Sequence, residues 1–280
     1  MYEVIFLWIL AIVFIIFAVV QDLKTREICN WISFSLVIFA LGFRFFYSLF
    51  QGDFTFFFNG LIGLGIFFVI GNLLYYSKVF AGGDAKLMIA LGTILPYYPD
   101  IFSNLQIFLN FILIFLASGF VYILLISTFL CIKHLDAFKK DFVKQFKSKK
   151  TLMLILLFAG IVLTLLGFVQ IFFSFFGILI LLSAYMYLYS KAIDESCMVK
   201  RINTNKLREG DWLYSDVKIG KNFIKSTWEG ISKDEIRKIS KKYKEVRIRQ
   251  GVPFSPVFII SLIIFILLSV FGVNLWNPFR

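Results

Sequence analysis

VIFLWILAIVFIIFAVV, residues 4–20, runs for 17 positions without a charge and is followed at once by QDLKTREI, residues 21–28. As a helix such a run extends about 26 Å, close to the thickness of a bilayer's hydrocarbon core. In lipid a helix also satisfies its own backbone N–H and C=O groups, which an irregular segment cannot do. Comparable apolar runs recur at about 31–50, 54–76, 85–98, 101–132, 152–168, 169–189 and 256–273. The pattern predicts an all-α polytopic membrane protein of about eight transmembrane helices. The composition agrees, with 280 residues, 60% hydrophobic, 16% charged and a mean hydropathy of +0.85. The stretch 151–192 would reach about 63 Å as one helix, twice the hydrocarbon thickness, so a helical hairpin turning near Gly167 to Gln170 is expected. Met1-Tyr2-Glu3 supplies no basic n-region and no small-x-small site follows Val20, so the first run is expected to be retained as a span.

Charge placement predicts orientation. Lys24 and Arg26 follow the first run, Lys78 and Lys86 flank the third turn, seven basic residues lie between Lys133 and Lys150, and sixteen between Lys191 and Arg249. With eight alternating spans, 27 of the 29 basic residues fall on one face, leaving Arg44 and Arg280 for the other. Cytoplasmic loops carry the excess of Lys and Arg, so that face is expected to be cytoplasmic, with both termini outside. The net charge of +12 is then mostly topological, with anionic lipid heads rather than nucleic acid as its natural partner. The expected organisation is a membrane core at 1–130, a basic loop at 131–150, the hairpin at 151–192, a basic cytoplasmic α+β insertion at 193–252 and a last span within 253–280.

The insertion has local signals of order. Ser232-Lys233-Asp234-Glu235 has capping-box spacing, and Ile236, Ile239 and Tyr243 then share one face of a helix. Val246 and Ile248 alternate with Arg247 and Arg249 as in a short strand, and Asp211 to Tyr214 is a second candidate. Cys29, Cys131 and Cys197 form no CxxC and His134 is the single histidine, so no metal site and no disulfide framework is expected. Gly60, Gly63, Gly65 and Gly71 sit in the third run, follow no strand, and are expected to allow close helix packing.

Two acids stand out. Asp22 ends the first run, and Asp84 opens the fourth within FAGGDAK, residues 80–86. On the expected topology both meet the membrane from one side, while Asp53 and Asp100 lie on the other. Two carboxylates brought together at a membrane boundary can carry out acid/base hydrolysis. Gly82 and Gly83 remove side chains beside Asp84, permitting unusual backbone angles and close approach of another chain. Lys86 is a candidate for electrostatic tuning of the pair, or for anchorage at the headgroups.

QDLKTREI at 21–28, GGDAKLM at 82–88 and GVPF at 251–254 resemble the archaeal preflagellin and type IV prepilin peptidases, of the GxGD class of membrane aspartic proteases. Order and spacing agree over about the first 100 residues; Ala81 replaces the first glycine of GxGD, and the 151–192 hairpin is an addition. The resemblance implies Asp22 and Asp84 as the catalytic pair, with Gly82 and Gly83 as supporting backbone. It implies cleavage of the short charged leader from a pilin-like or preflagellin-like membrane substrate at the cytoplasmic face. That chemistry needs no metal or organic cofactor. Without CxxC pairs, the methyltransferase activity of some bacterial relatives is not expected. Helix ends suggest Asp84 as base and Asp22 as acid, since an N-terminus favours a carboxylate and a C-terminus a protonated form. The alternative is a noncatalytic transporter or assembly scaffold, which would tolerate loss of either acid.

Overall fold

The computed structural model describes residues 2–220, 222–227 and 230–273. Its elements begin with helices α1 (Tyr2–Thr25), α2 (Asn30–Gln51), α3 (Thr55–Tyr76), α4 (Gly82–Leu91) and α5 (Ile101–Lys133). Then come α6 (Leu135–Ser148), α7 (Lys150–Leu166), α8 (Ile171–Ser196), strands β1 (Val199–Asn203), β2 (Trp212–Leu213), β3 (Val217–Ile219) and β4 (Asn222–Ile224), helix α9 (Lys233–Lys242), strand β5 (Glu245–Arg249) and helix α10 (Pro256–Val270). The chain forms two compact units, Met1–Ile123 with Pro253–Arg280, and Leu124–Val252.

The polytopic helical class holds. Among the described residues α1, α2, α3, α5 and α8 are long and apolar enough to cross a bilayer, with a sixth if the α6–α7 pair, bent by 85°, is one span. The other apolar stretches make shorter helices, 10 residues in α4, 17 in α7 and 15 in α10, so eight full-length spans are not reached.

The shortness of α4 has a local cause. Gly92 is a poor helix former, and Pro96 lacks an N–H and disfavours helical geometry in the residue before it. The chain tightens after Leu91 into i→i+3 bonds, Thr93 N–H to Ala90 C=O at 3.1 Å and Ile94 N–H to Leu91 C=O at 2.9 Å. Segment 82–98 nevertheless runs the length of the first unit. Gly83 lies against Ile28 just beyond the C-terminus of α1, whereas the Tyr97 ring lies 6.0 Å from Trp8 near its N-terminus. Leu87, Met88, Ala90, Leu91, Ile94 and Leu95 are all fully buried, so this segment is enclosed by protein. Irregular backbone at membrane depth is tolerated in such surroundings and not against lipid.

The terminal carbonyls of α4 are met by the amides of Gly92, Thr93, Ile94 and Leu95, and it is the irregular segment after them whose carbonyls need donors. Arg44 of α2, fully buried, supplies them. Its Nε donates to Thr93 C=O at 2.7 Å, Nη1 to Phe56 C=O at 2.7 Å, and Nη2 to the carbonyls of Ile94 and Pro96. The guanidinium also stacks on the Phe56 ring at 4.2 Å. Arg44 is therefore no loop charge, and the count of basic residues on the outer face loses it; Arg280, its companion there, lies outside the described residues. Asn104 completes the far end, its amide oxygen accepting from the Tyr97 and Tyr98 amides at 3.1 and 3.0 Å.

Small residues bring α3 against α4. A Cβ on Gly63 would collide with the Gly92 carbonyl, and one on Gly71 would sit 2.7 Å from Ile89. Gly60 leaves room for the Arg44 side chain, and Gly65 meets nothing within 4 Å. Close packing thus explains three of the four glycines.

In the second unit α7 and α8 form an antiparallel hairpin turning at 167–170, with Gly160 and Gly177 at their crossing. Strands β1, β5 and β2 make an antiparallel sheet in that order, pairing Val199 and Trp212 with Arg249 on either side. The capping box at α9 is present, with Ser232 Oγ accepting from the Glu235 amide at 3.4 Å and Glu235 Oε2 accepting from the Ser232 amide at 2.9 Å. Ile239, Val246 and Ile248 join Leu213, Ile224 and Ile231 in a small core. Strand β1 and the β3–β4 hairpin add to the two strands expected.

Replacing Arg44 by Met keeps a long apolar stem but removes the guanidinium that donates to four carbonyls. Each buried carbonyl left without a partner costs about 1–3 kcal/mol. Arg44→Met should therefore lower the thermal midpoint of the detergent-solubilised protein well below that of Arg44→Lys, which retains one charged donor; equal midpoints would contradict the capping role.

Candidate active site

The turn between α1 and α2 brings the end of α1 to the start of α4. Gln21 braces it by accepting from the Cys29 amide at 3.0 Å and donating to Cys29 Sγ at 2.7 Å. Arg26 takes a left-handed conformation with φ of 62°, and so does Lys78, φ 62°, in the turn that leads to α4. That geometry is uncommon for residues other than glycine. Both turns flank the acids.

Asp22 and Asp84 are each 8% exposed, and the start of α4 lies against the α1–α2 turn, with Gly83 packed on Ile28 and Lys86 bonded to Asn30. The structure thus brings together the two carboxylates singled out in the sequence, at one end of the first unit. Asp53 and Asp100 have other tasks, as local caps: Asp53 Oδ1 accepts from the Thr55 amide at 2.8 Å, and Asp100 Oδ2 from the Ser103 amide at 2.7 Å. They begin α3 and α5 at the end served by Arg44 and Asn104.

The supporting residues divide. Gly82 and Gly83 both lie in α4, and neither has a positive φ, so unusual backbone angles are not their contribution. Space is the contribution of Gly83, where a Cβ would fall 2.9 Å from Ile28 Cβ. Gly82 is looser, with only the Tyr75 ring at 3.8 Å. Lys86 donates to Asn30 Oδ1 at 2.6 Å and ties the start of α2 to α4. Two residues beyond Asp84 on a helix, it lies on a different face from that carboxylate, which is why its hydrogen bond goes elsewhere.

Two further residues complete the surroundings and were not singled out by sequence. Ser255 Oγ donates to Asp22 Oδ2 at 2.7 Å, and Tyr122 Oη donates to Pro253 C=O at 2.8 Å. Phe254 packs on Phe80 and Phe115 at 5.8 Å and reaches over Gly119, where a Cβ would lie 3.1 Å from its ring. The GVPF motif pointed to this place in the chain, one residue short of Ser255. A serine before a helix ordinarily reads as a cap, so its type alone carried no signal for a carboxylate partner.

The first unit is a bundle of apolar helices with two buried aspartates at one end. Residues 9–132, which hold both aspartates, match the model of the type IV leader peptidase family. Its relatives include the preflagellin peptidase of Methanococcus maripaludis, 33% identical over 97 residues, covering 34% of this chain and 42% of that one. The preflagellin peptidase of Methanocaldococcus jannaschii is 31% identical over 99 residues, covering 35% and 42%, and that of Methanococcus voltae 30% over 93 residues, covering 33% and 40%. The matched part thus spans about 42% of the length of the first two of these relatives. No solved structure gives a significant match.

A methyl at position 83 must displace Ile28 or α4. Gly83→Ala should cost about 1–3 kcal/mol, the usual penalty of overpacking, as read by thermal unfolding in detergent. Part of that loss should return in a Gly83→Ala, Ile28→Ala double-mutant cycle. Gly82→Ala should be neutral or slightly stabilising; a larger loss there than at position 83 would reverse the assignment.

Proposed function

We propose that this protein is a membrane aspartic endopeptidase that removes the leader from a preflagellin-like or pilin-like precursor. The observation that carries the reading is the convergence of Asp22 and Asp84, both buried, at one end of the membrane unit. The family match over residues 9–132 and the names of the relatives support the substrate class.

The chemistry follows from the pair. Two carboxylates this close and this dry cannot both ionise cheaply, so they hold one proton between them. The ionised member takes a proton from water as the water oxygen bonds to the scissile carbonyl carbon, while the protonated member donates to the carbonyl oxygen. The C–N bond then breaks as the amine nitrogen takes a proton from the first carboxyl and one hydroxyl of the gem-diol returns a proton to the second carboxylate, and the products are a carboxylic acid and an amine. The dyad ends with the one proton it began with, so the protein itself needs no other co-reactant.

The reaction belongs at a membrane face. A precursor helix shields its own peptide groups, and the bond to be cut must lie where backbone can leave the helix and reach water. Lys24, Arg26, Lys78 and Lys86 all border the turns that carry the two aspartates, and this excess of basic residues supports the cytoplasmic side for that face. Asp22→Asn and Asp84→Asn should each lower cleavage of a preflagellin-like substrate in membranes by about 100-fold or more, the scale of positioned proton transfer. Cutting at the wild-type rate by either variant, at equal expression, would remove the mechanism and leave a scaffold or transporter.

Orientation has its own test. Cys29 is exposed in the turn next to Asp22. In a Cys131→Ser, Cys197→Ser background, a membrane-impermeant maleimide should label Cys29 in inside-out vesicles and not in intact cells. The opposite pattern would put the carboxylates on the outer face.

A further inference from the structure

We infer that Ser255 is a positioning residue for the carboxylate pair, holding Asp22 through its Oδ2 oxygen so that Oδ1 is the oxygen that exchanges protons. The inference rests on the peptidase reading above. Ser255 occupies the N-cap of α10, where a serine normally takes extended geometry and accepts a hydrogen bond from an amide in the first turn. Here φ and ψ are −54° and −31°, the side chain makes no cap bond, and Pro256 follows at the first helical position. Proline brings no N–H to be satisfied there. The hydroxyl is thus released from capping, and it donates instead to Asp22 Oδ2 at 2.7 Å across 233 residues of sequence.

The donor is held as firmly as a positioning group requires. Ser255 is fully buried, as are Val257 and Phe258 just after it. Two residues before it, Pro253 C=O accepts from Tyr122 Oη of α5, and the intervening Phe254 is packed between Phe80 and Phe115. A carboxylate at the end of a helix has free rotation about its terminal bond unless a neighbour takes one oxygen. Ser255 takes that oxygen. The charged and titratable groups around Asp22 are Asp84 from α4, Tyr122 from α5, and Arg26 in the α1–α2 turn. Of these only Asp84 is proposed to exchange a proton in the reaction, and it too accepts a backbone hydrogen bond, at Ala81. Asp84 is thus served from the residue just before its own helix, and Asp22 from the residue just before α10.

The test uses the full-length protein in membranes with a preflagellin-like substrate. Ser255→Ala should lower kcat by about 10- to 100-fold, the worth of a hydrogen bond to a charged group expressed as a rate, with KM unchanged. The acid limb of the pH–rate profile should move to higher pH, because the donor that serves the charged form of the pair is gone. Ser255→Thr, which keeps the hydroxyl, should recover most of the rate. Ser255→Cys, close in shape but a weak donor, should resemble Ala and guards against loss of folding as the cause. Wild-type kcat and an unmoved acid limb in the Ala and Cys variants would overturn the inference, as would equal loss in Thr and Cys variants that remain folded. The peptidase reading fails separately: if Asp22→Asn still cuts, the dyad is not catalytic, whereas an inactive Asp22→Asn beside a fully active Ser255→Ala rejects only the role of Ser255.

Discussion

The Arg44 guanidinium donates to the carbonyl groups of Phe56, Thr93, Ile94 and Pro96 from inside the membrane unit, and the last three belong to buried residues. An arginine so placed would be very costly in lipid, and so would carbonyls with no donor. Each removes the penalty of the other. The consequence reaches well beyond the contact itself. Because the carbonyls of the segment after α4 are met by a side chain, the helix can stop after 10 residues and finish its passage in tight turns. Its start can then lie at the opposite end, with Asp84 beside the end of α1.

That geometry also accounts for which glycines matter. Gly63 and Gly92 let α3 and α4 meet backbone to backbone, Gly60 makes room for Arg44, and Gly83 makes room for Ile28. All four act by absence of volume, and none by a left-handed backbone. Among the described residues the left-handed ones other than glycine are Arg26 and Lys78, in the two turns beside the aspartates, where local strain sits close to the proposed chemistry. The first unit therefore has a supported end, closed by Arg44 and Asn104, and a chemical end, where the carboxylates gather.

The relation of Ser255 to Asp22 gives the last helix a part in the site. The family match stops at residue 132, yet α10 returns to the first unit and places a buried hydroxyl on one of the two acids. A carboxylate pair set by α1 and α4 alone would leave Asp22 without that restraint. The third helix contributing to the site begins more than 120 residues after the matched segment ends.

Much of this was legible from local chemistry along the chain. The apolar runs forced a polytopic helical fold, the acids stood at run ends, Ser232 to Glu235 announced α9, and the glycine-rich third run announced close packing. Each of these is a property of neighbours within a few residues, which hydrophobic periodicity and capping preferences report directly. The length of α4, the partners of Arg44, the turning of Lys86 to Asn30 and the diversion of Ser255 from capping to Asp22 were decided only by tertiary structure. A guanidinium, an ammonium or a hydroxyl takes whichever partner helix packing delivers, and that partner lies 49 residues away for Arg44 and 233 for Ser255, beyond the reach of any local pattern.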